Sequence, residues 1–222
     1  MVQCIVDDAR AHGVSVYCGA AHPFERGRPF GAIAAALDLN RRSRDPRRAA
    51  IGRLLGGAID PAKPRDAPDI RYRVAEEILD LVETSCAQHP VLLVIEDLHW
   101  ADSSSLLAIL STARQLSQTA LLLVVTARPT PLPAEVAQLL EDLTAAGARA
   151  IRLQSLTPGD VAVLARRELG APAGPGLAAV LAKASGNPLW VVAMLRSLAD
   201  EEMLRRDGDV SCCRSRPYSG TP

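Results

Sequence analysis

The chain has 222 residues and a formal net charge of zero, with 25 lysines and arginines balancing 25 aspartates and glutamates. This balance argues against a general attraction to nucleic acid or to a membrane surface, and the length excludes two full-sized domains. Aromatic residues make up only 3% of the chain, which favours aliphatic helices packed on a sheet over an all-β sandwich.

The cysteines and the hydropathy pattern indicate the compartment. None of the five cysteines lies in a CxxC pair or at a spacing typical of zinc ligands, so neither a zinc site nor a disulfide framework is predicted. No apolar run approaches the ~20 residues of a membrane span, and the N-terminus lacks the layout of a signal peptide. We therefore expect a soluble, cytoplasmic protein with no membrane partner.

The first part of the chain alternates helix and strand. Apolar residues at helical spacing cover residues 2–12, and VSVYCG at residues 14–19 follows as a short strand. A helix that leads quickly into a strand is typical of a repeated βαβ unit, so we expect that the strand opening this unit precedes the present sequence. Three further helices are predicted before residue 90: one opened by Pro29, one at 49–59 and one at 70–87.

Residues 41–48 form a densely basic run between two of these helices. A contact with nucleic acid and a solvated loop are both compatible with its charge. Because no aromatic residues are interleaved with the arginines, the solvated loop is favoured and no direct DNA binding is expected.

The segment VLLVIEDLHWAD at residues 91–102 is the most informative stretch. Five uninterrupted apolar residues predict a strand buried on both faces, as in a parallel sheet covered by helices. This strand runs into two adjacent carboxylates, Glu96 and Asp97, at the end where such sheets place their chemistry. Asp102 or Ser103 then caps the next predicted helix.

The rest of the chain continues the pattern and then changes character. A second buried strand at 120–126 ends in Thr126 and Arg128, and a helix at 133–146 leads to a third strand at 149–153. We therefore predict an α/β fold with a parallel sheet, followed by a small all-helical subdomain. The predicted domains are an α/β domain at 1–155, a helical lid at 156–208 and a disordered tail at 209–222.

The two buried strands would bring two acids and a guanidinium to one edge of the sheet. Hydrated Mg²⁺ prefers carboxylates and phosphate oxygens, and an arginine fork suits a terminal phosphate, so nucleotide phosphate chemistry is one interpretation. The other is that Glu96 and Asp97 simply leave the core into solvent and that Arg128 pairs with one of them. Spacing alone does not separate the two.

VLLVIEDLHWADSSSL resembles the Walker B segment of the STAND branch of AAA-type P-loop ATPases, especially the modules of large LuxR-type transcriptional regulators. RPFGAIAAAL, LLLVVTARP and SGNPLWVVAML extend the resemblance in the same order along the chain. It implies a P-loop-like fold with a helical lid, and ATP and Mg²⁺ as cofactors.

The resemblance also implies roles for individual residues. Glu96 and Asp97 would hold Mg²⁺, Asp97 would polarise the attacking water, and Arg128 would complete the catalytic pair. Thr126 would read the terminal phosphate, and the lid motif would lie near the adenine; its residues are Gly186, Asn187 and Pro188. For His99 we expect a structural hydrogen bond rather than metal ligation, and for Trp100 packing rather than base stacking.

One motif of the resembled family is missing, because GxxxxGK[ST] occurs nowhere in the chain. That loop supplies the backbone nest and the lysine that hold phosphates. We therefore expect an incomplete ATPase module that lacks the central strand of the sheet. Two functions stay open: a nucleotide switch of a transcriptional regulator with impaired ATP binding and possible self-association, or a non-catalytic interaction protein or remnant.

Overall fold

The computed structural model describes residues 2–58, 67–129, 131–207 and 210–213. The chain divides into two compact units, Met1–Ala150 and Ile151–Pro222. The boundary predicted from the sequence lies at residue 155, a few residues further along the chain.

The first unit contains a three-stranded parallel sheet. Its strands are β1 (Ser15–Ala20), β2 (Val91–Glu96) and β3 (Leu121–Val125), in the order β1-β2-β3. The register pairs Ser15 with Val91 and Val91 with Leu121, so all three strands end at the same edge. The predicted parallel α/β architecture is confirmed, and the uninterrupted apolar run is the middle strand of these three, buried on both faces as predicted. That a further, central strand of the sheet is missing from the sequence stays a prediction.

The described part of the first unit has six α-helices, close to the positions that the periodicity predicts. They are α1 (Val2–Ala11), α2 (Gly31–Ala36), α3 (Pro46–Ala58), α4 (Ala67–Gln88), α5 (Ser103–Gln115) and α6 (Ala134–Ala145). Helix α3 begins three residues earlier than predicted, because the Asp45 carboxylate accepts hydrogen bonds from the backbone N–H groups of Arg47 and Arg48. This is an N-cap followed by Pro46 in the first helical position.

The two faces of the sheet bury different amounts of apolar surface. Leu93 and Ile95 of β2 point into a large core formed with residues of α2 to α6. Leu92 and Val94 point to the opposite face, where they pack with Val6 of α1 in a much smaller cluster. The alternation along β2 follows from the two-residue period of a strand.

Helix α2 lies unusually close to β1 at Gly19. A Cβ atom on Gly19 would lie 2.5 Å from the backbone nitrogen of Ala36 and 2.8 Å from its Cα. Backbone atoms cannot rotate away as a side chain can, so the helix itself would have to move. The absence of a side chain at Gly19 therefore sets the distance between α2 and the sheet.

Replacing Gly19 by alanine should lower the free energy of unfolding by about 1–3 kcal/mol, which is typical of overpacking a filled core. Gly27→Ala is the matched control, because a Cβ there would meet nothing within 4 Å. Urea unfolding followed by circular dichroism compares the two variants with wild type. Equal midpoints for Gly19→Ala and Gly27→Ala would contradict this account of α2.

The second unit has its own small core. Helices α7 (Pro158–Leu169), α8 (Pro175–Ala182) and α9 (Pro188–Asp200) bury Ala165, Leu177, Leu181, Val191 and Leu195 against one another. Thr157 and Asp160 form a reciprocal capping box at the start of α7. Hydrogen bonds from the hydroxyl and the backbone N–H of Thr157 lower the pKa of Asp160, and such a reciprocal capping box is typical of a helix start.

Three predictions about this part of the chain are wrong. Residues 149–153 form no strand, since none of the described residues pairs with them; Ile151 and Leu153 are 68% and 70% exposed. The second unit is not all helical, and the segment after residue 209 is not uniformly disordered, because β4 (Leu204–Asp207) and β5 (Val210–Cys213) form an antiparallel hairpin. Residues 208–209 and 214–222 lie outside the described residues.

Tertiary hydrogen bonds explain why the composition of β5 did not reveal it. The backbone N–H of Ser211 donates to Pro172 O at 2.8 Å, and the N–H of Gly174 donates to Ser211 O at the same distance. This pairing with the loop before α8 has no local sequence signal.

Among the described residues, no helix is both long enough and apolar enough to cross a membrane.

Candidate functional site

The carboxyl ends of β2 and β3 meet at a turn that Thr126 holds in place. Asp97 follows the last residue of β2 and has a left-handed backbone conformation, with φ 57°. Its N–H donates to Thr126 Oγ1 at 3.1 Å, and the next N–H, of Leu98, donates to Thr126 O at 2.8 Å. Asp97 and Thr126, both predicted from sequence as site residues, are thus neighbours.

The acidic side chains at this edge are accessible. The side chain of Asp97 is 47% exposed, and Glu96 is partly buried. The Thr126 hydroxyl accepts from Asp97 and donates its own proton to none of the described residues. The edge therefore offers two carboxylates and one free hydroxyl donor.

Arg128 lies two residues beyond Thr126 and is exposed. It forms no ion pair with any carboxylate in the described part of the chain, so the predicted pairing with Glu96 or Asp97 is not found. The structure therefore keeps its guanidinium open to solvent.

Asp102 joins two helix starts. Its buried carboxylate accepts four hydrogen bonds, from Phe30 N–H (2.8 Å), Gly31 N–H (3.0 Å), Ser105 N–H (2.9 Å) and Ser105 Oγ (2.6 Å). It is the predicted N-cap of α5, and it also satisfies the first N–H groups of α2, where Phe30 has a left-handed φ of 60°. The first N–H groups of a helix have no acceptor within the helix, and a carboxylate is a favourable acceptor for them.

Arg26 was not predicted as a site residue, and it connects the loop after β1 to the loop after β2. Its Nη2 donates to His99 O at 2.8 Å, and its guanidinium carbon lies 4.4 Å from the centre of the Trp100 ring. Such a cation–π contact explains the partial burial of Trp100. Trp100 also packs against the main core of the first unit; that it does so rather than stacking on a base stays a prediction. No motif or spacing in the sequence predicts that Arg26 and Trp100 are in contact.

His99 differs from its prediction. The residue is 6% exposed, and neither ring nitrogen has a hydrogen-bond partner among the described residues. The expected structural hydrogen bond is therefore absent, and the nearest carboxylate oxygen, Asp97 Oδ1, lies 3.8 Å from Nδ1.

Gly186, Asn187 and Pro188 lie in the second unit, and each has a structural reason for its identity. Gly186 has φ +73°, and a Cβ there would lie 2.3 Å from Leu156 O. Asn187 caps α9 by accepting from the N–H groups of Leu189 and Trp190, and Pro188 occupies the first helical position. These roles neither require nor exclude a ligand.

The donor set at the strand ends fits a hydrated Mg²⁺. This cation typically binds one or two protein carboxylates and takes its other ligands from water and phosphate, and Glu96 and Asp97 are adjacent and accessible. No group of three or more His, Cys, Asp or Glu side chains arranged for a metal occurs in the described part of the chain, which argues against a site built from protein ligands alone. The motif GxxxxGK[ST], whose backbone forms a phosphate nest, does not occur in the sequence.

Comparison with known proteins assigns the fold. The family described as AAA ATPase domain matches residues 1–125, more than half of the chain and all three strands of the parallel sheet. The chain belongs to this family. Within the matched part of the AAA ATPase domain lie Glu96, Asp97 and Asp102, whereas Thr126 and Arg128 follow directly after it.

An uncharacterized protein of Rhizobium meliloti is similar to this AAA ATPase domain, with 31% identity over 103 residues. The similarity covers 46% of the present chain and 10% of that relative. The chain thus spans about a tenth of the relative's length. No solved structure matches the chain.

Proposed function

We propose that this AAA ATPase domain is the nucleotide-switch module of a signal-transducing transcriptional regulator, which binds ATP with Mg²⁺. One observation carries the nucleotide part of the proposal. At the carboxyl end of the central strand, Glu96 and Asp97 are adjacent, and hydrogen bonds from the N–H groups of Asp97 and Leu98 to Thr126 fix the backbone of Asp97 to the end of the neighbouring strand. Open α/β sheets bind ligands at this edge.

The proposal gives each residue a task. Glu96 and Asp97 hold the Mg²⁺, and Asp97 orients the attacking water with its exposed carboxylate. Thr126 and Arg128 contact the terminal phosphate, for which a free hydroxyl proton and an unpaired guanidinium are suitable donors. The bound metal would neutralise charge on the phosphate oxygens.

The residues of the lid motif belong to the same proposal. Gly186, Asn187 and Pro188 would lie against the adenine, as the resemblance implies. The regulator role rests on that resemblance too, and it includes nucleotide-dependent self-association or contact with other regulator domains.

We further propose that the chain alone binds ATP weakly and turns it over slowly. The support is the sequence, which contains no GxxxxGK[ST] and therefore no lysine-bearing phosphate nest. The same feature favours a second candidate function, a non-catalytic interaction protein that keeps the surfaces of the fold.

Isothermal titration of the full chain with ATP tests the first proposal. We expect a Kd of about 1 mM with Mg²⁺ present and roughly tenfold weaker binding with excess EDTA, a difference of about 1.4 kcal/mol. The double variant Glu96→Gln/Asp97→Asn should lose this Mg²⁺ dependence, because its amides are poor ligands for a hard cation.

The matched control is Asp8→Asn, since Asp8 is an exposed carboxylate on α1 and its loss should leave the titration unchanged. Absence of heat at several millimolar nucleotide would reject autonomous ATP binding and favour the non-catalytic function. Equal Mg²⁺ dependence in wild type and in the double variant would reject the assigned metal ligands.

A further inference from the structure

His99 is a buried polar side chain whose hydrogen bonds are not made. Both ring nitrogens are inaccessible to solvent and have no partner in the described part of the chain. Leaving a buried polar group unpaired costs about 1–3 kcal/mol, and an imidazole must donate from one nitrogen and accept at the other. An apolar residue would avoid this cost, so the presence of an imidazole at this buried position calls for an explanation.

The surroundings of His99 hold its ring in one place. Arg26 fixes the backbone by donating to His99 O, and the Trp100 ring lies 4.9 Å from the imidazole at an interplanar angle of 46°. The same arginine packs on Trp100. The ring is thus confined between a fixed backbone and a fixed indole.

Nδ1 of His99 approaches the carboxylate of Asp97, which orients the attacking water in the proposed function. Asp97 Oδ1 lies 3.8 Å from Nδ1, and a hydrogen bond needs a separation near 2.8 Å, so the oxygen has to move by about 1 Å. The side chain of Asp97 is half exposed and can turn, whereas its backbone is held by Thr126. A rotation of the Asp97 side chain that brings Oδ1 about 1 Å closer to Nδ1 would complete the hydrogen bond.

We propose that His99 is a positioning residue for Asp97. The imidazole carries a proton on Nδ1 and donates a hydrogen bond through it to Asp97 Oδ1, which fixes the carboxylate plane and directs the second oxygen, Oδ2, outward. This proposal rests on the proposed function, in which Asp97 orients the water. It explains why a histidine, rather than an apolar residue, occupies a buried position beside an accessible acid.

The tautomer of His99 in the full chain tests the proposal without any enzymatic activity. Long-range ¹⁵N–¹H correlation spectra separate the four imidazoles, and the His99→Gln variant identifies the signals of His99. We expect the imidazole of His99 to carry a proton on Nδ1, and to shift toward the Nε2–H form in Asp97→Gly. Glycine suits the left-handed backbone at position 97, so the variant removes the carboxylate without adding strain.

Asp8→Ala supplies the matched control. Asp8 is exposed on α1 and belongs to a different histidine, since His12 Nδ1 lies 3.6 Å from Asp8 Oδ1 and 2.8 Å from Asp8 O. This variant should leave the signals of His99 untouched. A wild-type His99 without a proton on Nδ1, or one that is unchanged in Asp97→Gly, would overturn the proposal.

A second measurement separates this inference from the proposed function. In ATP hydrolysis assays, His99→Phe should lower kcat by tenfold to about a hundredfold with KM nearly unchanged, as misplacement of a reacting group by about 1 Å does. His99→Asn keeps an N–H donor and should recover part of kcat.

Equal kcat in His99→Phe and wild type would overturn the positioning role. No hydrolysis by wild type would count against the proposed function alone, because the tautomer of His99 still decides whether the contact with Asp97 exists.

Discussion

Replacing Asp102 by alanine should lower the free energy of unfolding of the first unit by about 3–5 kcal/mol, because several buried donors would lose their acceptor at once. The carboxylate is buried and accepts four hydrogen bonds. Alanine would leave the N–H groups of Phe30, Gly31 and Ser105 without an acceptor at two helix starts. Each unpaired buried donor costs about 1–3 kcal/mol.

Asp102→Asn should lower the free energy of unfolding by less than Asp102→Ala does, but by more than the substitution of an exposed residue does. Its amide keeps one acceptor oxygen, while its NH₂ group faces donors where the second oxygen stood. Glu135→Gln is the matched control, since Glu135 also accepts a hydrogen bond from the first turn of α5, from Ser103 Oγ, but is exposed. A loss within about 0.5 kcal/mol is typical of such a surface change.

Urea unfolding followed by tryptophan fluorescence measures these differences in the free energy of unfolding for the first unit. The chain has two tryptophans, Trp100 in the first unit and Trp190 in the second, so a Trp190→Phe background reports on the first unit through Trp100. If Asp102→Ala unfolded at the same urea concentration as Glu135→Gln, the bridging role of Asp102 would be refuted.

Gly186→Ala should destabilise the second unit by about 2–4 kcal/mol, through two separate costs. A left-handed backbone costs a non-glycine residue about 1–2 kcal/mol, and Gly186 has φ +73°. The new Cβ would also overlap Leu156 O, which lies 2.3 Å from its position. The Leu156 N–H bond to Gly186 O, 2.8 Å long, would be disturbed as well.

Gly176→Ala is the control for this variant. Gly176 lies in the first turn of α8, and a Cβ there would meet nothing within 4 Å, so alanine should be neutral or stabilising. Trp190 fluorescence in a Trp100→Phe background follows the unfolding of the second unit. Unchanged stability of Gly186→Ala, together with weaker ATP binding, would favour direct contact between this turn and the nucleotide.

Much of the first unit could be predicted from sequence because its signals are local. An apolar run without alternation identifies β2, and helical periodicity locates α4 and α5 to within a few residues. The approach of Asp97 to Thr126 follows from the parallel order of β2 and β3, since such strands end at one edge. The position of Asp102 as N-cap of α5 has a local signature too.

What could not be predicted depends on contacts between distant segments. The second role of Asp102, at α2, joins residues more than 70 positions apart, and the contact of Arg26 with Trp100 spans a similar distance. Residues 149–153 have the composition of a strand, but a strand also needs a neighbour, and none of the described residues provides one. The isolated ring nitrogens of His99 became apparent only from its burial.

The position of β2 between β1 and β3 has a consequence for hydrogen exchange. Of the described strands in this sheet, it is the one paired on both sides, so its amides can exchange only after one of its neighbours detaches. Local opening should therefore begin at β1 or β3 and reach the centre last. The acids at the end of β2 are attached to the slowest-exchanging part of the sheet, while Thr126, which orients Asp97, follows a strand that opens earlier.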